Sequence, residues 1–278
     1  MPNKLSTAEN VAESYYDSSD ADHFYETVWG GEDIHIGLYQ DTDDIRTASR
    51  KTVTKMGEQL QTLNSDSRVI DLGAGYGGSA RYLSKKSGCK VTCLNISEVQ
   101  NQRNRILNQE QGLADNIDVR HGSFEDIPCE DASMDIVWSQ DSFLHSNRKD
   151  TVMDEIARIT APGGEVIFTD PMQADDCPEG VLQPVYDRLN LESMGSFAYY
   201  RKALGERGFE EIRMTYMTPQ LRNHYDNVRQ ELETRYDDLV KTISNDYMDK
   251  MINGLKNWVE AADNGYLAWG ILHFRKKS

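Results

Sequence analysis

From residue 68 onward, short apolar runs alternate with segments that carry their apolar residues on one face only. Arg68–Leu72 (RVIDL), Lys90–Asn95 (KVTCLN), Ile117–His121, Met134–Ser139 (MDIVWS) and Glu165–Thr169 (EVIFT) each read as a buried strand. Helical patterning fills 78–87, 98–111 and 148–160, and Gly163-Gly164 marks a tight entry to the fifth strand. This alternation predicts an α/β fold with a parallel sheet and helices on both faces. Ahead of it, Val53, Met56, Leu60 and Leu63 recur at spacings of three and four, which predicts a helix. Behind it, Phe209–Tyr216 and Tyr266–Phe274 read as two further strands. The stretch between them has helical spacing, as in Val228, Leu232, Tyr236, Leu239 and Ile243. A connection that long is an insertion rather than a loop. Ligands of open α/β sheets bind at the carboxyl ends of the strands, so the insertion is expected to cover that end as a lid. The expected division is an N-terminal helical cap over 1–64, an α/β core over 65–217, a helical lid over 218–264 and a last core strand over 265–278.

Composition narrows the partners. The chain has 278 residues, 38% of them hydrophobic, enough for one buried core. Its formal net charge of −16 disfavours nucleic acid and anionic membranes, both of which are held by clustered Lys and Arg. That acidity suits either ordinary solubility or a salt-rich cytoplasm in which carboxylates keep the surface hydrated. The beginning of the chain, with Glu9, Glu13, Asp17 and Asp20, has no apolar stretch of a targeting signal. No run approaches the roughly 18 apolar residues of a membrane span, so a cytoplasmic location is expected. Cys89, Cys93, Cys129 and Cys177 show no CxxC spacing, which favours buried free thiols over metal ligation or disulfides. No metal site is expected.

The informative motif is Val69-Ile70-Asp71-Leu72-Gly73-Ala74-Gly75-Tyr76-Gly77-Gly78. Glycines at a strand-to-helix turn let the backbone bend sharply and approach a ligand. Gly73, Gly75 and Gly78 also satisfy GxGxxG, so a dinucleotide-dependent oxidoreductase is an alternative. Asp71 argues against it: a carboxylate before the turn suits a cationic ligand better than a pyrophosphate.

This stretch resembles motif I of the class I S-adenosylmethionine-dependent methyltransferases, and the resemblance runs in order to about residue 172. It implies a Rossmann-like, mostly parallel seven-stranded sheet with helices on both faces and a helical lid. It further implies S-adenosylmethionine as methyl donor, S-adenosylhomocysteine as product, and cofactor contacts from Asp71, Gly73, Ala74 and Gly75. Asn95 and Ile96 fall some 22 residues beyond Gly73, at the ribose position, where the family usually has an acid. Ser123 and Phe124 match the adenine loop, with Ser123 in place of the usual Asp. Gln140 follows the fourth strand, at the methionine end. Three segments, WGGEDIHIG from Trp29, WSQDSFLH from Trp138 and FTDPMQADDCPEG from Phe168, resemble the sarcosine/dimethylglycine N-methyltransferases of betaine-making microbes, as does the closing Gly265–Gly270. The resemblance implies N-methylation of sarcosine and dimethylglycine to glycine betaine, an osmoprotectant made against salt stress. A phosphobase or lipid-like acceptor is the second reading.

Methyl transfer from a sulfonium is an in-line displacement, in which alignment supplies much of the acceleration. Dimethylglycine has no proton left to lose, so a general base is optional. Asp141 is expected to orient the amine, and His145 to assist by hydrogen bonding or proton removal; a histidine that only caps the following turn is the alternative. Aromatic faces stabilise an alkylated ammonium. Tyr15, Tyr16, Tyr25, Trp29, Tyr199 and Tyr200 are candidates for such a cage or for plain packing, and Tyr25 and Trp29 are four apart, on one helical face. Pro171 and Met172 follow the fifth strand, and Met172 offers either a polarizable contact for N-methyl groups or core filling. Arg201, Arg222 and Arg229 are candidates for the substrate carboxylate. The oligomeric state is not legible.

Overall fold

The computed structural model describes residues 7–189 and 191–278. Five strands run parallel: β1 (Arg68–Leu72), β2 (Lys90–Asn95), β3 (Ile117–His121), β4 (Met134–Gln140) and β5 (Thr160–Thr169). With β7 (Phe209–Tyr216) and β9 (Gly270–Lys276) they form one seven-stranded sheet, ordered β3-β2-β1-β4-β5-β9-β7, in which β9 is antiparallel to both its neighbours. Strand order reverses between β1 and β4, which opens a crevice outside their carboxyl ends.

Alternation along the strands divides the core. Val69, Ile136, Trp138, Ile167 and Ile271 face α3 (Ile45–Gln59) and α4 (Gly78–Ser87). Ile70, Val137, Val166, Phe168 and Leu272 lie in the cluster with Val152, Met153 and Ile156 of α6 (Lys149–Ile159) and with α8 (Phe197–Glu206). This period-two split is the signature of a sheet buried on both sides. Helix α5 (Glu98–Glu110) begins where Ser97 accepts a hydrogen bond from the Gln100 amide, with Glu98 in the first turn.

A third apolar cluster sits over the strand ends. It joins α2 (Ser19–Phe24) and the π-helical turn Tyr25–Trp29 to the helices between β7 and β9. In α9 (Thr218–Thr234), Leu221, Tyr225, Val228 and Leu232 form a stripe that packs on Met248, Ile252, Leu255 and Trp258 of α11 (Asn245–Asp263), with the short α10 (Tyr236–Leu239) between. Helix α1 (Thr7–Tyr16) lies nearby, and α7 (Gln183–Leu189) packs on α11. A two-stranded ribbon pairs β6 (Met172–Gln173) with β8 (Leu267–Ala268).

Several boundaries differ from those expected. Helix α3 ends at Gln59, so Leu60 and Leu63 pack on the core from outside it. Strand β5 begins at Thr160, and Gly163-Gly164 lies inside it: the register jumps between Met134 and Ile136, and Gly163 takes φ +77° in the bulge. The closing strand is broken at Trp269 into β8 and β9. Cys89 and Cys93 are buried free thiols, whereas Cys129 and Cys177 are partly exposed. Among the described residues no helix is long and apolar enough to cross a membrane.

The N-terminal segment is fastened to α4. Arg81, 1% exposed, donates to Glu32 and to Asn104 and Asn108 of α5, and Arg50 pairs with Asp33 at 2.7 Å. Gly78 is where the two meet: a Cβ there would lie 2.5 Å from the Glu32 carbonyl oxygen. Replacement Gly78→Ala is therefore expected to push residues 30–37 off the helix. It should cost about 1–3 kcal/mol, read as a lower thermal midpoint; an unchanged midpoint would refute this packing.

Candidate active site

The crevice is built from four strand ends and two covering segments. Gly73 and Gly75 follow β1, Asn95 and Ile96 close β2, Ser123 and Phe124 follow β3, and Gln140, Asp141 and Ser142 follow β4. Glu9, Ala12 and Tyr16 of α1 cover it, with Ile34 and His35 of the N-terminal segment. At Gly73 the backbone takes φ +74°, and a Cβ would fall 2.5 Å from that of Ser142. Only glycine makes that turn while lying against the β4 loop.

Polar groups in the wall are fixed with unused capacity facing a ligand. Gln140 accepts from Ser79 Oγ (2.7 Å) and Trp138 Nε1 (3.2 Å) through Oε1, leaving the buried Nε2 without a partner. Asn95 donates its amide to Gln100 Oε1 at 3.0 Å, which leaves its own carbonyl oxygen to accept, as a carboxylate would; Gln100 Nε2 and His35 Nδ1 are likewise buried and unpaired. Buried polar atoms normally have partners, so this set points to a polar ligand. Burial holds the His35 pKa down to about 3, so the ring is neutral. Ser123 Oγ accepts from the Glu125 amide and meets the Glu9 carboxylate. Phe124 lies 5.8 Å from Phe143, edge to face.

Asp71 and Ala74 lie behind the glycine turn rather than on the wall. Asp71 is 3% exposed; burial, with the Asp33 carboxyl next to it, pushes its pKa up to about 8. Asp33 itself is raised to about 6, burial outweighing Arg50.

A second cavity shares Tyr16, Ile34, Asp141 and His145 with the first. Tyr25, Trp29, Pro171, Leu144 and Tyr225 complete much of its lining. The Tyr25 and Trp29 ring centroids are 5.4 Å apart, and the π-helical turn buries both. Asp141 stands between the cavities with φ +52°, an uncommon backbone for a residue with a side chain. Its Oδ2 accepts from the Ile36 amide (2.7 Å) and its Oδ1 from the Trp269 indole (2.8 Å). Burial raises its pKa to about 6 against those two bonds and the nearby Thr169 hydroxyl. His145 Nε2 is hydrogen-bonded to the Tyr16 hydroxyl at 3.0 Å.

The turn carrying His145 is clamped from below. The Leu144 amide donates to Asp170 Oδ1 (3.0 Å), Tyr200 donates to Asp170 Oδ2 (2.7 Å), and Lys149 donates to the Ser146 carbonyl (2.6 Å). Burial pushes the Asp170 carboxyl up and the Lys149 ammonium down. Tyr200 is thus a buried support, Tyr199 turns outward to Asp150, and Tyr15 bonds Tyr25 and Tyr247 behind the cavity. Met172 is fully buried among Phe168, Tyr200 and Ala268 and lines neither cavity. Arg201 pairs with Glu211, and Arg222 and Arg229 share Asp226; none of the three lines the site. The sequence reading did not single out Ile34, His35, Gln100, Ser142, Tyr225 or Trp269 as site residues. Ile34, His35, Ser142 and Trp269 lie in the segments that carry the family resemblance, and Tyr225 lies three residues ahead of Val228 on the same helical face.

Fold and crevice together define an S-adenosylmethionine-dependent methyltransferase, and a model of the methyltransferase domain matches residues 70–168. The chain is 53% identical to the sarcosine/dimethylglycine N-methyltransferase of Halorhodospira halochloris, over 97% of each chain. It is 51% identical to that of Aphanothece halophytica, over 98% of this chain and 99% of the relative. A crystal structure of a candidate sarcosine dimethylglycine methyltransferase from Galdieria sulphuraria superposes with TM-score 0.89 and 44% identity, over 95% of this chain and 99% of the other. The chain belongs to the sarcosine/dimethylglycine N-methyltransferase family. S-adenosylmethionine is its methyl donor, which removes the dinucleotide alternative.

The crevice fits that donor: the unpaired Gln140 Nε2 suits its carboxylate, and Asn95 its ribose diol. Asp71 gives a pH-dependent prediction. Its folded pKa of about 8, against an ordinary 3.8, favours the protonated acid in the fold. Stability from this group is therefore full below about pH 4 and falls as pH rises through 8. Asp71→Asn should melt higher than the wild type at pH 8, by the equivalent of a few kcal/mol at most, with the gap closing at pH 4. The variant should also gain less from S-adenosylhomocysteine in a thermal-shift titration. Equal midpoints and equal ligand shifts at pH 8 would disprove both expectations.

Proposed function

We propose that the protein methylates the nitrogen of sarcosine and of dimethylglycine, yielding glycine betaine. The observation that carries this reading is the shared wall: Asp141 and His145 face both the donor crevice and a cavity lined by Tyr16, Tyr25, Trp29 and Tyr225. The donor supplies a methyl group on a cationic sulfur. The protein's part is to bring an unprotonated amine in line with it and to stabilise positive charge as it spreads onto nitrogen. Asp141 presents a carboxylate to that nitrogen, and the aromatic faces interact with the alkylated ammonium through their quadrupoles, more strongly where water is excluded. Sarcosine must also shed a proton after transfer, and His145, bonded to the Tyr16 hydroxyl, is the group we assign to take it.

A phosphobase acceptor fits less well. Its phosphate needs a cationic cradle, and among the described residues no Lys or Arg lines the acceptor cavity. Arg201, Arg222 and Arg229 are accordingly not part of this reading. A cytoplasmic role in osmoprotection agrees with the family and with the net charge of −16.

Incubation with labelled S-adenosylmethionine and glycine, sarcosine, dimethylglycine or phosphoethanolamine separately, with products weighed by mass spectrometry, tests the assignment. Betaine from dimethylglycine, and dimethylglycine with betaine from sarcosine, are the expected products; methylation of phosphoethanolamine alone would overturn it. Asp141→Asn should lower kcat/KM for dimethylglycine by roughly a hundredfold or more.

A further inference from the structure

Trp269 occupies the single-residue gap between β8 and β9 and is fully buried. Its main chain joins the two ends of the helical insertion. The Met217 amide donates to the Trp269 carbonyl at 2.9 Å, and the Trp269 amide donates to Thr218 Oγ at 3.2 Å. Thr218 opens α9, and β8 follows α11. The side chain reaches the other way: indole Nε1 donates to Asp141 Oδ1 at 2.8 Å. Helix α9 also brings Tyr225 into the acceptor cavity. One residue thus fastens the lid at its root and holds the carboxylate beneath it.

The groups around Asp141 supply little to replace that bond. His35 of the N-terminal segment is neutral. Asp170, beyond β5, is a second buried carboxyl, and the nearby Asp141 carboxylate helps to raise its pKa. Tyr16 from α1 and His145 from the turn after β4 share the cavity wall, and no Lys or Arg lines either cavity among the described residues. The carboxylate accepts from the Ile36 amide and from this indole, with the Thr169 hydroxyl close by. The positive φ of Asp141 is a conformation that persists only when its surroundings over-determine it.

We propose that Trp269 is a positioning residue, whose indole N–H holds the Asp141 carboxylate toward the acceptor and couples it to the seating of the helical insertion. This rests on the reading of Asp141 as the group that faces the amine. A donor to a carboxylate favours its ionised form, so removal of the donor makes the carboxylate harder to form.

The pH dependence of kcat/KM for dimethylglycine tests this. The free amine titrates well above neutrality, so log kcat/KM should rise with unit slope, steepening to a slope of two below the Asp141 break near pH 6. In Trp269→Phe the break should move up by roughly one to two pH units, while the thermal shift given by S-adenosylhomocysteine stays unchanged. Should Trp269→Phe not fold, replacement of the indole by benzothiophene at this position keeps the bicyclic shape and removes only the donor. A folded variant whose break stays at the wild-type pH, alongside an inactive Asp141→Asn, overturns the inference alone. Wild-type turnover in Asp141→Asn would instead remove the reading beneath it.

Discussion

Carboxyl groups taken out of water near the strand ends, with too little positive charge to match them, set the terms for the rest of the site. Asp71 is raised to about 8, Asp33 to about 6 and Asp141 to about 6, in each case chiefly by burial. Asp33 has Arg50 and Asp170 has Lys149, but Asp141 is held by neutral donors, the Ile36 amide and the Trp269 indole. Such groups cost stability in the free protein. They also make the crevice a place where a cationic ligand gains more than it would on the surface, because little solvent or salt intervenes. The arrangement suits a reaction whose donor is a sulfonium and whose product nitrogen is cationic.

That charge is organised by convergence of three stretches of chain. The α/β core supplies Asp141 itself, at the end of a strand and in a backbone conformation that needs outside support. The segment before α3 supplies the Ile36 amide and is itself bound to the core through Glu32, Asp33, Arg50 and Arg81. The insertion between β7 and β9 supplies Tyr225, and its return supplies Trp269. Neither covering stretch is needed to close the sheet, yet the acceptor cavity exists only where all three meet. Specificity on a common fold arises in this way, from segments grafted over the strand ends.

The sequence was most legible where burial has a simple period. Strands β1, β2, β3 and β7 fall on their expected residues, because each is a short apolar or alternating run bounded by turn residues. Strand β5 was misread at its start because a bulge at Gly163-Gly164 imitates a turn. The closing strand was read as unbroken because Trp269, an apolar residue, interrupts pairing without any change in hydropathy. In the site, Gly73, Gly75, Asn95, Ile96, Ser123, Phe124 and Gln140 come together because each follows a strand, and strand order fixes their neighbours. Met172 lies in the core, since one position along an edge ribbon decides which way a side chain turns. The arginines were beyond sequence reasoning: helical spacing shows that Arg222 and Arg229 sit near Asp226, but not that all three face away from the cavity.

The acidity of the chain then divides into two kinds with opposite responses to salt. Most of the 46 acidic side chains are surface groups in water, many in exposed pairs such as Lys241 with Asp238; repulsion among them weakens within a Debye length of about 8 Å at physiological ionic strength and shorter distances at higher salt. The carboxyls beneath α1 and the helical insertion are shielded by protein rather than by ions, so their attraction for cationic ligands changes little. Raising the salt should therefore relieve the net charge of −16 while leaving the site's electrostatics nearly intact. A carboxylate held by the Ile36 amide and the buried Trp269 indole, rather than by an exposed guanidinium, keeps its partners at any ionic strength.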